Sequence, residues 1–248
     1  MSLPSSIPAT TLRMFCWRDL LGSSLLTRHN KETDGCLDCG LDIWTVRSYI
    51  PRMPNGRPLQ YDPEQAIEAA MQVFWSHGYE ATSLQDLLAA MGLSKSSFYQ
   101  AFGGKKAIFI RCISRYRNRM ADVFDGVLNK AESGLKFIEL LLLLSAAEAR
   151  KPDHLRRGCL LMNTATEFAQ NDQEIAKHVT AGFGGLQDAL RTAVLRGQRE
   201  GDISPDHNPD VLADYLLSSL GGIKTMVKGG MSEKQVKEIV AITLRALS

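Results

Sequence analysis

Leu84-Gln85-Asp86-Leu87-Leu88-Ala89-Ala90-Met91-Gly92-Leu93-Ser94-Lys95-Ser96-Ser97-Phe98-Tyr99 carries Leu84, Leu87, Leu88 and Met91 at the three-to-four residue interval of one helical face. Gly92 is the residue type that ends a helix in the left-handed conformation, and Ser94 can cap a new helix by accepting from a backbone N–H of its first turn. Two short helices joined by a glycine turn, with apolar residues where they must pack at a steep angle, make a helix-turn-helix. In such a unit the second helix enters the major groove of DNA, and side chains near its N-terminus reach base edges. Here those are Lys95, Ser96, Ser97 and Gln100, each able to hydrogen-bond to a base or a phosphate.

The flanking sequence is helical in both directions. Asp62-Pro63-Glu64-Gln65 offers an N-cap, a proline at the first helical position and an acceptor three residues after the cap. Ile67, Ala70, Met71, Phe74 and Trp75 follow at helical spacing, and Gly78 closes the helix. Thr82-Ser83-Leu84-Gln85 repeats the capping-box pattern, with Thr82 as cap and Gln85 as its reciprocal partner. Downstream, helices are expected over 105–129, 134–151, 159–170, 172–200, 209–228 and 233–247, with start signals at Asp172, at Asn208-Pro209-Asp210 and at Ser232-Glu233-Lys234-Gln235. No alternating apolar and polar run survives as a strand, so the class is all-α.

Charge singles out the same region. The chain has 248 residues with 29 Lys+Arg against 27 Asp+Glu, a net +2, yet no acidic residue falls between Asp86 and Asp122. That window holds Lys95, Lys105, Lys106, Arg111, Arg115, Arg117 and Arg119. A phosphate-binding face has this footprint, and so does an ordinary solvated basic surface; charge alone leaves both open.

Composition excludes other classes. At 44% hydrophobic and 23% charged the chain is neither a disordered polymer nor a small disulfide scaffold. The most apolar run, residues 140–147, lies between Glu139 and Glu148 and is far short of the ~20 residues of a membrane span. Arg18 and Asp19 interrupt the apolar patch at residues 14–21, so no secretory signal is read, and a cytoplasmic protein without a membrane partner is expected. Five scattered cysteines (16, 36, 39, 112 and 159) suit reduced thiols. Cys112, on an apolar face with Phe109 and Ile113, reads as core.

Residues 1–56 hold no regular period and mix Pro4, Pro8, Pro51 and Pro54 with isolated Trp17 and Trp44. They are expected to be a poorly ordered N-terminal extension, with Met53 a possible natural start. A helix-turn-helix domain over 57–119 and a helical regulatory and dimerisation domain over 120–248 follow. The pair Cys36-Leu37-Asp38-Cys39 has the spacing of a zinc or thiol-exchange motif, and His29 is a third donor. Zinc needs four ligands and no second pair follows, so the motif is read as incidental and no metal or cofactor is expected.

The stretch from Asp62 to about Met120 resembles the DNA-binding domain of the TetR/AcrR (tetracycline-repressor) family. The likeness rests on Phe74-Trp75-Ser76-His77-Gly78-Tyr79, Thr82-Ser83-Leu84-Gln85-Asp86-Leu87-Leu88, the run from Met91 to Phe102, and Gly103-Gly104-Lys105-Lys106-Ala107-Ile108-Phe109. The resemblance implies that Thr82 caps the second helix close to phosphate with Ser83 beside it, that Tyr99 contacts the backbone, and that Lys105 meets a phosphate. Phe74 and Phe102 match the family's packing aromatics; Leu88 departs from its usual small alanine. The family's architecture further implies a homodimer on a near-palindromic double-stranded operator, released by a small-molecule effector of unknown identity.

Two further features belong with that resemblance. The last two helices carry stripes that include Leu212, Leu216, Leu220, Val236, Ile239, Val240 and Thr243, readable as a dimer interface or as intrachain core. Arg156-Arg157-Gly158-Cys159-Leu160 resembles a Gly-Cys-Leu element of one branch of the family, which includes a repressor that senses electrophiles through that cysteine. Cys159 is therefore a candidate redox or electrophile sensor, its thiolate favoured by Arg156, Arg157 and a helix N-terminus; the alternative is a small buried apolar residue.

Catalytic signatures are missing: no Gly-x-Ser-x-Gly elbow, no phosphate loop, no dinucleotide fingerprint and no His-Glu-x-x-His pair occurs. No catalytic residue is assigned, and a non-enzyme is expected. The reading is a DNA-binding transcriptional regulator; the alternative is a helical redox- or metal-responsive interaction protein using its cysteines.

Overall fold

Asp62 opens the first helix of the computed structural model, which describes residues 61–168 and 171–248. The expected extension over 1–56, Met53, the cysteine pair at 36 and 39, and the last two residues of the helix expected to reach Gln170 lie outside the described residues. Among those described, every regular element is helical. In order they are α1 (Pro63–His77), α2 (Leu84–Met91), α3 (Lys95–Phe102), α4 (Lys105–Lys130), α5 (Gly134–Glu148), a 3-10 turn (Asp153–Leu155), α6 (Leu160–Phe168), α7 (Gln173–Glu200), α8 (Pro209–Lys228) and α9 (Glu233–Arg245). No helix of the described residues is long and apolar enough to cross a membrane.

The helix ends follow local chemistry. Asp62 accepts from the Glu64 N–H at 2.8 Å, Asp172 and Asn208 cap α7 and α8 in the same way, and Ser232 with Gln235 forms the expected capping box on α9. The capping box of α2 is displaced by one residue from the expected one. Ser83, not Thr82, is the N-cap, and its partner is Asp86, not Gln85. Thr82 instead turns inward, 1% exposed, with its hydroxyl donating to the Gly78 carbonyl at 2.6 Å.

Helix α4 fixes the relation between the two halves. It runs unbroken through the boundary expected at 119/120, so the reader and the regulatory helices share one rod and no linker separates them. Its first half packs on α1 and α3, burying Phe74, Phe98, Phe102, Ile108 and Phe109, with Phe74 and Phe109 edge-on at 4.8 Å. A fully buried phenylalanine of this kind contributes about 1.5–3 kcal/mol. Cys112 lies in this core as expected, its thiol facing the Ile67 carbonyl. Helix α7 packs against α4, α5 and α8, and α9 closes on α5.

A salt-bridge network ties α1 to α4. Arg115 pairs with Glu64 and Glu68, and Arg119 pairs with Glu68. Burial pushes the Glu68 carboxyl up, but hydrogen bonds from Arg119, Gln72 and Arg115 outweigh it and hold the group below its ordinary 4.5. A carboxyl lowered by folding stabilises fully above its unfolded value, and the contribution is lost as pH falls through the folded value. Thermal melts should therefore show wild type losing stability below about pH 4.5, with Glu68→Gln less stable at pH 7 and flatter in that window. Parallel curves for the two proteins would show that the network contributes nothing.

Candidate nucleic-acid interface

The turn between α2 and α3 is set by Gly92. Its φ of 64° and ψ of 30° are left-handed, and the Leu93 N–H closes back on the Leu88 carbonyl at 3.1 Å. A side chain at Gly92 would strain that conformation by about 1 kcal/mol. Ser94 then starts α3, accepting from the Ser97 N–H at 3.1 Å, while Phe98 and Phe102 anchor the helix from below. With that face buried, Lys95, Ser96, Tyr99 and Gln100 must point outward, and all four are exposed, Tyr99 by 47%. Ser97 is half-buried and shares a hydrogen bond with Ser94. Leu88 is also only half-buried, so it fits without displacing the core.

Lys105 joins this surface from the start of α4. Its Nζ lies 4.3 Å from the centre of the Tyr79 ring, a cation–π seat that holds the ammonium beside the α1–α2 turn. Ser83 lies exposed on the same turn, tied to Asp86 through both its hydroxyl and its N–H. Thr82, expected as a phosphate-side cap, has no side-chain surface to offer there.

The basic run of the sequence does not form one face. Arg115 and Arg119 turn toward α1, and Lys106 pairs with Asp172 and Glu174 at 2.8 and 2.9 Å. Arg111 lies over the Phe102 ring. A linear count of charge cannot register that helix α4 distributes its residues around its axis.

The C-terminal stripes, readable from the sequence as dimer interface or intrachain core, lie largely within the single chain. Leu212, Leu216, Leu220, Val236, Val240 and Thr243 are all buried inside this single chain, and Ile239 is half-buried. The buried members of the set serve the packing of their own chain, with little surface left over. The exposed large apolar side chains of these two helices are others: Val211 (63%), Tyr215 and Met226 (54%) on α8, and Ile242 on α9.

Cys159 immediately precedes α6 and is 6% exposed. The Tyr116 hydroxyl donates to its sulfur at 3.5 Å, and burial, then the neighbouring Cys159, push that phenol far above its usual range. The two arginines expected to favour a thiolate are engaged elsewhere. Arg156 donates to the Lys151 carbonyl and pairs with Asp153; Arg157 reaches Gln72 and lies over the Trp75 ring.

Sequence reasoning assigns no role to two side chains in this region. Tyr79 forms the platform under Lys105, and the Glu167 carboxylate accepts from the N–H groups of Tyr79 and Glu80 at 3.1 and 2.8 Å. A separation of 88 residues hides the second of these from any local pattern.

Comparison with known proteins agrees with this geometry. Residues 66–112 match the family described as bacterial regulatory proteins, tetR family, and residues 140–241 match the tetracyclin repressor-like C-terminal domain. The chain is 40% identical over 197 residues to the HTH-type transcriptional repressor BdcR of Escherichia coli (strain K12), spanning 79% of this chain and 93% of that protein. It is 28% identical over 191 residues to the repressor ComR of the same organism, spanning 77% and 91%. Among solved structures, a cysteine mutant of the TetR family regulator CifR in complex with 26-bp operator DNA superposes with a TM-score of 0.69 at 29% identity, covering 77% of this chain and all of that one.

Proposed function

The chain belongs to the TetR family of bacterial transcriptional regulators, and on that premise we propose that it is a repressor that docks as a homodimer on a near-palindromic operator and leaves it when a small molecule binds among the regulatory helices. The observation that carries this reading is the outward face of α3, where Lys95, Ser96, Tyr99 and Gln100 stand exposed over a core locked by Phe98 and Phe102. Lys95, Ser96, Ser97 and Gln100 take the base-edge and groove positions; Tyr99, Ser83 and Lys105 take the phosphates. Thr82 serves by shaping the turn that carries Ser83. Two such heads imply half-site centres about one helical turn, or a multiple of it, apart.

The partner copy takes the exposed face of α8 and α9 that bears Val211, Tyr215, Met226 and Ile242. Cys159 is our candidate for an electrophile-sensing role, supported by its place at the head of α6 and by its hydrogen bond from Tyr116.

The decisive experiment is a footprint on DNA flanking the gene, followed by binding isotherms over a salt series. Tyr99→Phe and Lys105→Ala should weaken all sequences alike, with the Lys105 change lowering the salt slope by about 1. Lys95→Ala should cost about 1–3 kcal/mol on the operator and relax base preference. In the same assay N-ethylmaleimide should release wild type but not Cys159→Ser. Unchanged operator affinity in all three reader variants, with helicity intact, sinks the docking assignment; equal release of the two proteins reduces Cys159 to packing.

A further inference from the structure

Glu167 makes an unusual connection between the two halves of the chain. It sits at the C-terminal end of α6, yet its carboxylate is spent on the backbone of the α1–α2 turn, Oε2 accepting from the Tyr79 N–H and Oε1 from the Glu80 N–H. Within that turn the Thr82 N–H is taken by the Tyr79 carbonyl and the Thr82 hydroxyl by the Gly78 carbonyl. One carboxylate thus takes up two successive turn donors, with the added strength of a charged acceptor.

The neighbouring contacts make the grip rigid. Phe168 meets the Tyr79 ring at 5.0 Å and the Phe109 ring at 5.7 Å, so the residue after Glu167 holds the side chain whose backbone Glu167 holds. Tyr79 in turn carries Lys105 on its ring, and the turn it belongs to ends in Ser83. Just beyond α6, Asp172 and Glu174 hold Lys106, the residue next to Lys105.

The other end of α6 is wedged in the regulatory helices. Leu161 occupies the space a side chain would need at Gly182 of α7, where an added Cβ would lie 2.7 Å from it, and Met162 does the same at Gly221 of α8 at 2.8 Å. Leu161 and Met162 thus seat α6, the helix that carries Glu167, directly against α7 and α8.

We infer that Glu167 is a positioning residue for DNA binding: carried by a regulatory helix, its carboxylate clamps the α1–α2 turn and so sets where Ser83 and Lys105 meet phosphate. This rests on the repressor reading above and adds the link by which the regulatory helices hold the reader.

The test uses the full chain as wild type, Glu167→Ala, Glu167→Gln and Glu167→Asp. Amide exchange without DNA reads the clamp directly. Glu167→Ala should speed exchange at Tyr79 and Glu80 by at least about tenfold while the amides of α7 stay as protected as in wild type. Glu167→Gln, which keeps one acceptor, should fall between. Glu167→Asp keeps the charge but loses the reach, so it should resemble Glu167→Ala at one or both amides. On the footprinted operator Glu167→Ala should raise Kd about tenfold or more, with the slope of log Kd against log salt falling by no more than about 1, since Lys105 is the charged phosphate contact that the clamp places. Unchanged exchange at Tyr79 and Glu80 overturns the clamp, and freed amides with unchanged Kd overturn its role in binding. Wild-type behaviour of Glu167→Asp in both assays reduces the effect to local charge. A wild-type chain that binds no DNA even at low salt overturns the repressor reading itself, an outcome that needs no variant to recognise.

Discussion

Leu216→Glu will cost this chain its fold, whereas Val211→Glu combined with Met226→Glu will leave a folded monomer that has lost tight operator binding. All three positions are on α8, and a count of apolar residues treats them alike. Leu216 is 0% exposed within one chain, packed where α8 meets its own neighbours, so a carboxylate there is buried without a partner. That penalty is several kcal/mol, comparable to the whole stability of a domain. Val211 and Met226 already face solvent, and charges at such positions cost the monomer within about 0.5 kcal/mol. In a dimer built on that face, the two carboxylates meet their symmetry mates across an apolar seam. Splitting the dimer separates the two reader heads, and the linked binding worth about 10²–10⁴ in affinity goes with it. Sedimentation, circular dichroism and operator binding on the same samples separate the cases. A double variant that remains dimeric, or a monomer that retains full affinity, places the second copy elsewhere.

Much of the fold was legible because its signals are local. Asp62-Pro63, Gly92, Ser94 and Ser232 with Gln235 each act within four residues, and each stands where the sequence puts it. The misplacement at α2 has a physical cause. Thr82 and Ser83 are both good caps, each followed three residues later by a side chain able to reciprocate, so the pattern fits two registers. What selects Ser83 is tertiary: the Thr82 hydroxyl finds the Gly78 carbonyl, and its side chain is buried. Periodicity finds the apolar face of α8 without saying whose atoms cover it, which is why the sequence leaves interface and intrachain core both open. Charge counting likewise found seven basic residues without their partners; Glu64, Glu68, Asp172 and Glu174 lie outside the window and take three of them. The Glu167 clamp was invisible for the same reason, since its donors are backbone groups on the far side of α4 and α5 in sequence.

The buried pair formed by Glu148 of α5 and Lys224 of α8 should give the largest gap between single and double variants anywhere in the regulatory half. Their side chains are 4% and 9% exposed, and Nζ lies 3.3 Å from the carboxylate. Taking either charge out of water costs several kcal/mol, which mutual attraction at this distance roughly returns. Lys224→Met leaves the buried carboxylate without its ammonium and should destabilise by about 3–5 kcal/mol, and Glu148→Leu, which takes the carboxylate from Lys224, should also destabilise. The double variant removes both charges, replaces them with apolar side chains of similar bulk, and should match or exceed wild type. Urea unfolding with an unchanged m-value is the measurement, and the coupling in the cycle should be several kcal/mol. The pair is therefore a poor source of stability but a strict constraint on the register between α5 and α8, the helix whose outer face we assign to the partner copy. Single variants that cost less than about 1 kcal/mol, or a double as unstable as either single, would show that the two charges are compensated by other groups and that the register is held by apolar packing alone.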